Sequence, residues 1–318
     1  MFYVKTSGRQ VHYAAKSGGM WAESNLELLS DWGYFEAFVD PTGRPGFVFD
    51  EDTILSDWNE TPAFYLLDGN TFYQNVIGPV AHDHMHDHTV DIAFDSNGGV
   101  HALIVNPVTF DGVSDPNSRL GYERRTPLTN LISDETTERM QWTETVLPFA
   151  HGPFDIQVGP EGTPRILISA TDPMRYGMLV GSTLDTELVQ ASAQAAPEVA
   201  QWSAFAMDAA GNAHIAYTTP SREMRYAKRT PSGWQVERLS GREAGRPWMA
   251  LDASGRPHIS FFLCETTTNC PKYVLRHTGS SWVRSVAPGA GPLRIHNGTL
   301  YMLYDASDVL TVTSTPLP

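Results

Sequence analysis

Two segments decide the fold: FAMDAAGNAHIAYTTPSREMRYAKRTPSGWQVERL, residues 205–239, and MALDASGRPHISFFLCETTTNCPKYVLRHTGSSWVRSV, residues 249–286. Their shared skeleton is apolar-x-apolar-Asp-x-x-Gly-x-x-His, an apolar strand, a loop, a Tyr-bearing strand, a Gly/Ser turn, and a Trp that opens a last strand. Four short strands joined by tight turns at this period describe one β-propeller blade.

The skeleton recurs along the chain. Asp40-x-x-Gly43 leads to Tyr65 and Phe72-Tyr73, and Asp95-x-x-Gly98-x-x-His101 leads to Tyr122 and Trp142. Gly159-x-x-Gly162-x-x-Arg165 leads to Tyr176, then Asp208 begins the set ending at Trp234, and Asp252 the set ending at Trp282. The anchors at 40, 95, 159, 208 and 252 are 55, 64, 49 and 44 residues apart, so loop insertions account for the longer gaps. Five blades are whole. Residues 11–28 supply a Tyr strand and a Trp strand, and PLRIHNGTLYMLYDA supplies the first two strands of a blade. The expected fold is therefore an all-β propeller of four-stranded blades in one domain, 1–318, with a sixth blade closing the ring from strands of both termini. MFYVKT and VLTVTST are surplus strands in that scheme and leave seven blades open.

The repeated residues have structural readings. In Asp-x-x-Gly the Asp side chain accepts turn N–H groups and the Gly takes positive φ. His101, His214 and His258 recur at the start of the second strand in three blades, as a residue that maintains a blade does. The repeated Tyr and Trp fill the wedge between neighbouring sheets.

These blades resemble bacterial repeat propellers of the type Asp-x-x-Gly-x-x-His-[Ile/Ala]-x-[Tyr/Phe], related in architecture to sialidase-like propellers. No segment gives the sialidase Asp-box and no Arg triad can be matched. The size is also similar to the six-bladed metal-dependent lactonases and phosphotriesterases. That likeness implies a divalent metal in the central tunnel, but the Glu, Asn and Asp ligands of that group have no counterparts here.

Candidate chemistry lies outside the repeat. Four of the eleven histidines fall at alternate positions in His82-Asp83-His84-Met85-His86-Asp87-His88. Alternate residues of an extended chain point the same way, and imidazole is a ligand of first-row metals. The blade alignment puts this row just before one first strand and His151 just before the next. A metal held by His84, His86, His88 and His151 is expected, zinc first and calcium or manganese as alternatives. Asp87 and His88 would then orient or activate a metal-bound water. Trp32, Trp58, Trp202, Arg246 and Trp248 fall in the segments that lead into first strands or in the loops beside them, and are the candidate substrate contacts. The acids Asp50, Glu51, Asp52, Asp57, Asp111 and Asp115 lie in the same loops.

Three functions follow as expectations. The first is a metal-dependent hydrolase of ester-like bonds: a lactone, aryl ester or phosphotriester. The second is a lectin-like glycan-binding propeller, which calls for equivalent pockets built from repeated residues. The third is a polysaccharide lyase or glycosidase, working through His and Tyr or paired carboxylates. The partner is a small molecule or a glycan. A net charge of −14 argues against nucleic acid, and no apolar run is long enough for a membrane span. Cys264 and Cys270 flank a polar hairpin loop, where a disulfide would fit a periplasmic or secreted protein. MFYVKTSGRQ lacks the charged and apolar regions of a signal peptide.

Overall fold

The computed structural model describes residues 2–5, 10–17, 20–29, 35–49, 63–68, 71–76, 88–106, 119–125, 142–147, 154–169, 173–192, 194–241, 243–264, 269–305 and 310–317. They are strands and turns, without a helix among the described residues. The chain is an all-β propeller of four-stranded blades. It divides into two compact units, residues 1–151 with 181–183, and residues 152–180 with 184–318.

In the first unit, β1 (Phe2–Lys5), β2 (Gln10–Ser17) and β3 (Met20–Leu29) form a three-stranded sheet. A whole blade follows: β4 (Phe35–Val39), β5 (Pro45–Phe49), β6 (Ala63–Asp68) and β7 (Thr71–Val76). The next blade is β8 (His88–Phe94), β9 (Val100–Asn106), β10 (Arg119–Arg125) and β11 (Trp142–Leu147). Phe38, Phe64 and Phe94 meet between these two blades, with Phe38 and Phe94 centroids 5.1 Å apart.

The second unit holds three whole blades. The first is β12 (Phe154–Val158), β13 (Pro164–Ile168), β14 (Arg175–Val180) and β15 (Thr183–Leu188). The second is β16 (Trp202–Met207), β17 (Ala213–Thr218), β18 (Met224–Thr230) and β19 (Gly233–Arg238). The third is β20 (Trp248–Leu251), β21 (Pro257–Phe262), β22 (Lys272–His277) and β23 (Trp282–Ala287). The sheet β24 (Leu293–His296), β25 (Thr299–Asp305) and β26 (Leu310–Pro316) ends the chain. Successive first strands β12, β16, β20 and β24 are neighbours along the inner edge.

The five whole blades are the five expected from the anchors. The terminal strands are divided differently from the shared sixth blade. Each surplus strand pairs within its own end, β1 with β2 and β26 with β25, so each end builds a three-stranded sheet. A hairpin partner a few residues away closes at lower entropic cost than one at the far end of the chain.

Asp-x-x-Gly turns join first and second strands in four of the five whole blades. Asp208 Oδ1 accepts from the N–H groups of Ala210 and Asn212 at 3.0 and 2.8 Å, and the Gly211 N–H reaches the Asp208 carbonyl at 2.9 Å. Asp40, Asp95 and Asp252 repeat this pattern. The glycine that closes each turn has φ between 72° and 89°, a region costly for other residues. In the blade with Gly159 in place of Asp, a Cβ there would lie 2.7 Å from the Glu161 carboxylate, which fills the vacated space and pairs with Arg165.

The cores lie between blades. Tyr176 of β14 takes the edge of Trp234 from the following blade at 5.5 Å, and Tyr226 of β18 takes Trp282 at 5.1 Å. Each indole Nε1 also donates to a glutamate of the preceding blade's fourth strand, Trp234 to Glu187 and Trp282 to Glu237, both at 3.0 Å. A buried large apolar side chain contributes on the order of 1.5–3 kcal/mol, so these interlocked aromatics are a main reason the blades stay in register.

Register corrects two of the repeat assignments. The residue six beyond the turn Asp pairs with His101↔Arg124, Arg165↔Met178, His214↔Lys228 and His258↔Arg276. Two residues before those partners stand Tyr122, Tyr176 and Tyr226, but Val274 in the third blade of the second unit. In the blade β4–β7 the pair Gly46↔Leu66 puts Phe64 there. Tyr65 and Tyr273 are one residue off and belong to the opposite face, because successive strand residues alternate sides.

Candidate binding site at the crossover end

Each blade has two ends. The Asp-x-x-Gly turns and the third-to-fourth hairpins share one. The other, the crossover end, carries the segments that lead into the first strands and the second-to-third hairpins. Residues there do not repeat from blade to blade, as expected of loops that carry function on a rigid scaffold.

Of the expected metal ligands, only His88 lies among the described residues. It is the first residue of β8, opposite Val105, just before a bulge between Thr89 and Asp91. His82, His84, His86, Asp87 and His151 fall outside the described residues, as do Trp32, Trp58 and the loop acids from Asp50 to Asp57 and at Asp111 and Asp115. Among the described residues no group of three or more His, Cys, Asp or Glu could hold a metal ion.

The other three expected contacts lie among the described residues, at the starts of two neighbouring first strands. Trp202 stands six residues before Asp208 and Arg246 six residues before Asp252, so they occupy equivalent positions where the chain enters the adjacent first strands β16 and β20. The guanidinium of Arg246 lies 5.9 Å from the centroid of the Trp248 ring. Arg246 is exposed, and Trp202 and Trp248 are half-buried. The half-buried Trp248 ring with a cation beside it presents both apolar surface and charge to solvent.

The backbone under Arg246 is held from three sides. Gly245 donates to the Phe262 carbonyl at 2.9 Å and accepts from the Thr218 hydroxyl at 2.7 Å. A Cβ on Gly245 would sit 1.9 Å from the Phe262 ring, so no other residue fits without displacing it. Arg222 and Glu243 both have left-handed backbone, φ 62° and 70°, and their side chains pair at 2.7 Å. The Ala244 N–H reaches the Arg222 carbonyl, and the Cys264 N–H reaches that of Glu243, both at 2.9 Å. Three loops are thus laced together. The Cys264–Cys270 disulfide closes the third, a bond consistent with an extracellular or periplasmic location.

A polar seam at this end was not read from the sequence. Tyr217 is fully buried. Burial, reinforced by the Glu198 carboxylate, drives its phenol ionisation far above the ordinary range. Arg225 holds Glu198 through two contacts, 3.0 and 2.8 Å, and Glu223 at 3.0 Å. Ser203 donates to Ser169 across the blades at 2.8 Å. The equivalent positions in the next blade are Pro247, Phe261 and Tyr273, an apolar row. Glu198 and Arg225 are 27 residues apart, so no local pattern announces them. The one signal is Arg225 itself, a charge at a strand position that is apolar or aromatic in the following blade.

The repeated histidines are structural. His214 is buried, its Nε2 3.3 Å from Asp208 and its Nδ1 2.6 Å from the Tyr226 hydroxyl. His101 and His258 lie buried at 3.4 and 3.5 Å from Asp95 and Asp252. His101 and His214 brace their turns, and all three rings are buried.

Neither a protein-family model nor a curated sequence matches the chain. Its fold is similar to that of several solved propellers. The BP39L lectin from Burkholderia pseudomallei superposes with a TM-score of 0.64 at 11% identity, over 99% of this chain and 91% of the lectin. An S511A mutant of puromycin hydrolase gives 0.60 at 14% identity, over 97% of this chain but 50% of that protein. A PL25 ulvan lyase bound to -[GlcA(1-4)Rha3S]- gives 0.55 at 12% identity, over 90% and 83%. At these identities the likeness is one of fold.

Proposed function

We propose that the chain is a carbohydrate-binding propeller, acting as a single domain over 1–318, with one glycan site at its crossover end. One observation carries this reading: Arg246, just ahead of β20, lies beside the half-buried Trp248 ring that opens that strand, and Trp202 opens the neighbouring first strand β16. Half-buried indoles offer flat apolar surface to the C–H faces of a pyranose, and polar groups fix its orientation. The repeated Asp, His, Tyr and Trp are consumed by packing, so the site is single rather than one per blade. A lectin and a polysaccharide lyase among the similar folds are consistent with such a ligand. The disulfide suits a secreted or periplasmic protein that meets glycans outside the cytoplasm. Screening on a glycan array tests the reading: wild type binds a defined subset, and Trp202→Ala with Trp248→Ala abolishes it. Unchanged binding by the double variant would refute it.

A second reading is kept for one observation. The alternating row from His82 runs directly into β8, which begins at His88 at this same kind of end. His84, His86, His88 and His151 would hold zinc, with calcium or manganese as alternatives, for hydrolysis of a lactone, aryl ester or phosphotriester. A bound divalent ion supplies a water of lowered pKa. Elemental analysis of the purified protein decides it. Stoichiometric metal that disappears in His86→Ala and His88→Ala supports hydrolysis, and a metal-free protein with full glycan binding removes it.

A further inference from the structure

Resting on the carbohydrate reading, we infer that the ligand is an acidic sugar and that Arg246 selects its carboxylate or sulfate. The chain carries 36 Asp and Glu against 22 Lys and Arg, so an anionic ligand is repelled unless a free cation meets it. Most of the described guanidinium groups are already engaged. Arg44, Arg222, Arg225, Arg238 and Arg256 each lie within 3.1 Å of a carboxylate. Arg246 makes no ion pair among the described residues, is exposed, and rests beside an indole.

The surrounding backbone preserves that state. Glu243 is the nearest carboxylate to Arg246 in sequence, three residues before it. Its Oε2 is taken by Arg222 Nη1 at 2.7 Å, and its left-handed backbone, φ 70°, is held by the bond from Cys264. The Arg222–Glu243 pair therefore withdraws the acid that would otherwise neutralise Arg246. With its Cζ 5.9 Å from the Trp248 ring centroid, the exposed guanidinium is able to present two parallel N–H groups to a ligand. That geometry matches a carboxylate or two sulfate oxygens, and the half-buried indole lowers the local dielectric in which the contact forms. A lysine would supply the charge without the fork.

The test is a set of matched glycans on the intact protein: glucuronate against glucose, galacturonate against galactose, and sulfated against unsulfated sugars of the same linkage. Wild type is expected to prefer the acidic member on the order of tenfold, a step of about 1.4 kcal/mol. Arg246→Gln brings the ratio near one, and Arg246→Lys restores part of it. Arg222→Ala, which frees Glu243, also lowers the ratio. The carboxylate and sulfate arms identify which anion is read. Equal binding of acidic and neutral sugars by wild type, or an acidic preference untouched by Arg246→Gln, overturns the inference and leaves the carbohydrate reading standing. No binding of any glycan overturns both.

Discussion

The hydroxyl of Tyr226 donates to Nδ1 of His214 at 2.6 Å. The ring's other nitrogen faces Asp208 Oδ2 at 3.3 Å. An ionised carboxylate only accepts, so Nε2 carries the proton and Nδ1 is left to accept. The contact links the third strand of a blade, through its second, to the turn that begins it. Tyr226→Phe leaves Nδ1 buried without its donor and should cost about 1–3 kcal/mol. Urea denaturation should show a lower midpoint at unchanged slope. An unchanged midpoint would mean that the buried chain is not stabilising.

The same histidines make the fold sensitive to acid. Burial pushes the pKa of His214 down, the Asp208 bond pushes back, and Lys228 adds to burial; the net shift is downward. His258 shifts the same way, from burial opposed by Asp252. As pH falls through the ordinary histidine value of about 6.5, the unfolded chain takes up protons that the folded chain refuses. Stability is therefore present above that value and is lost as pH drops. Asp40, Asp95, Asp208 and Asp252 follow lower down. Burial opposes their ionisation, but hydrogen bonds from the turn outweigh it and hold each carboxyl below its usual range. Denaturation midpoints should fall between pH 7.5 and 5, then more steeply below 4. His214→Gln should flatten the first decline.

The aromatic lock between blades gives a graded series. Trp282→Phe removes the bond to Glu237 but keeps the ring near Tyr226, and should cost about 1 kcal/mol. Trp282→Ala removes both and should cost about 3–5 kcal/mol. Equal losses for the two variants would assign the whole effect to the hydrogen bond.

What was legible in the chain follows from what repeats. Asp208, Gly211 and His214 sit close together and recur, so turn, strand and blade could be read from spacing alone. Tyr65 and Tyr273 misled because identity was matched without register. Phe64 and Val274 hold the equivalent positions, and pairing is a property of two strands. Trp202 and Trp248 open first strands and Arg246 precedes one, places where the sequence departs from the repeat. The Glu198–Arg225 pair and the buried Tyr217 were not legible, since the two charges meet only after the chain has crossed between blades. Asp91 escaped for a similar reason: it is buried on β8 beside a bulge that the sequence does not mark.

The strained pair at the crossover end gives another prediction. Glu243→Gly removes an exposed ion pair worth about 0–1 kcal/mol but relieves left-handed backbone that costs about 1–2 kcal/mol in an L-residue. The variant should be at least as stable as wild type in urea. Glu243→Val loses the pair and keeps the strain, so it should be less stable than either. A Gly variant less stable than the Val variant would contradict the role given to the backbone there.

Closing the Cys264–Cys270 loop should contribute about 2 kcal/mol through the entropy of the unfolded chain. A paired Cys264→Ser and Cys270→Ser variant should lose that amount, measured by denaturation with and without reductant. Reductant should shift wild type and leave the variant unmoved.

The central claim is that a sugar binds where the chain crosses between blades, and calorimetric titration with the strongest array ligand tests it most directly. Trp202→Ala and Trp248→Ala should each weaken binding by more than about tenfold. Asn297→Gly, placed in the β24–β25 turn at the opposite end with φ 47°, should leave affinity unchanged. Full affinity in both tryptophan variants, or a loss in the Asn297 variant alone, would contradict the account.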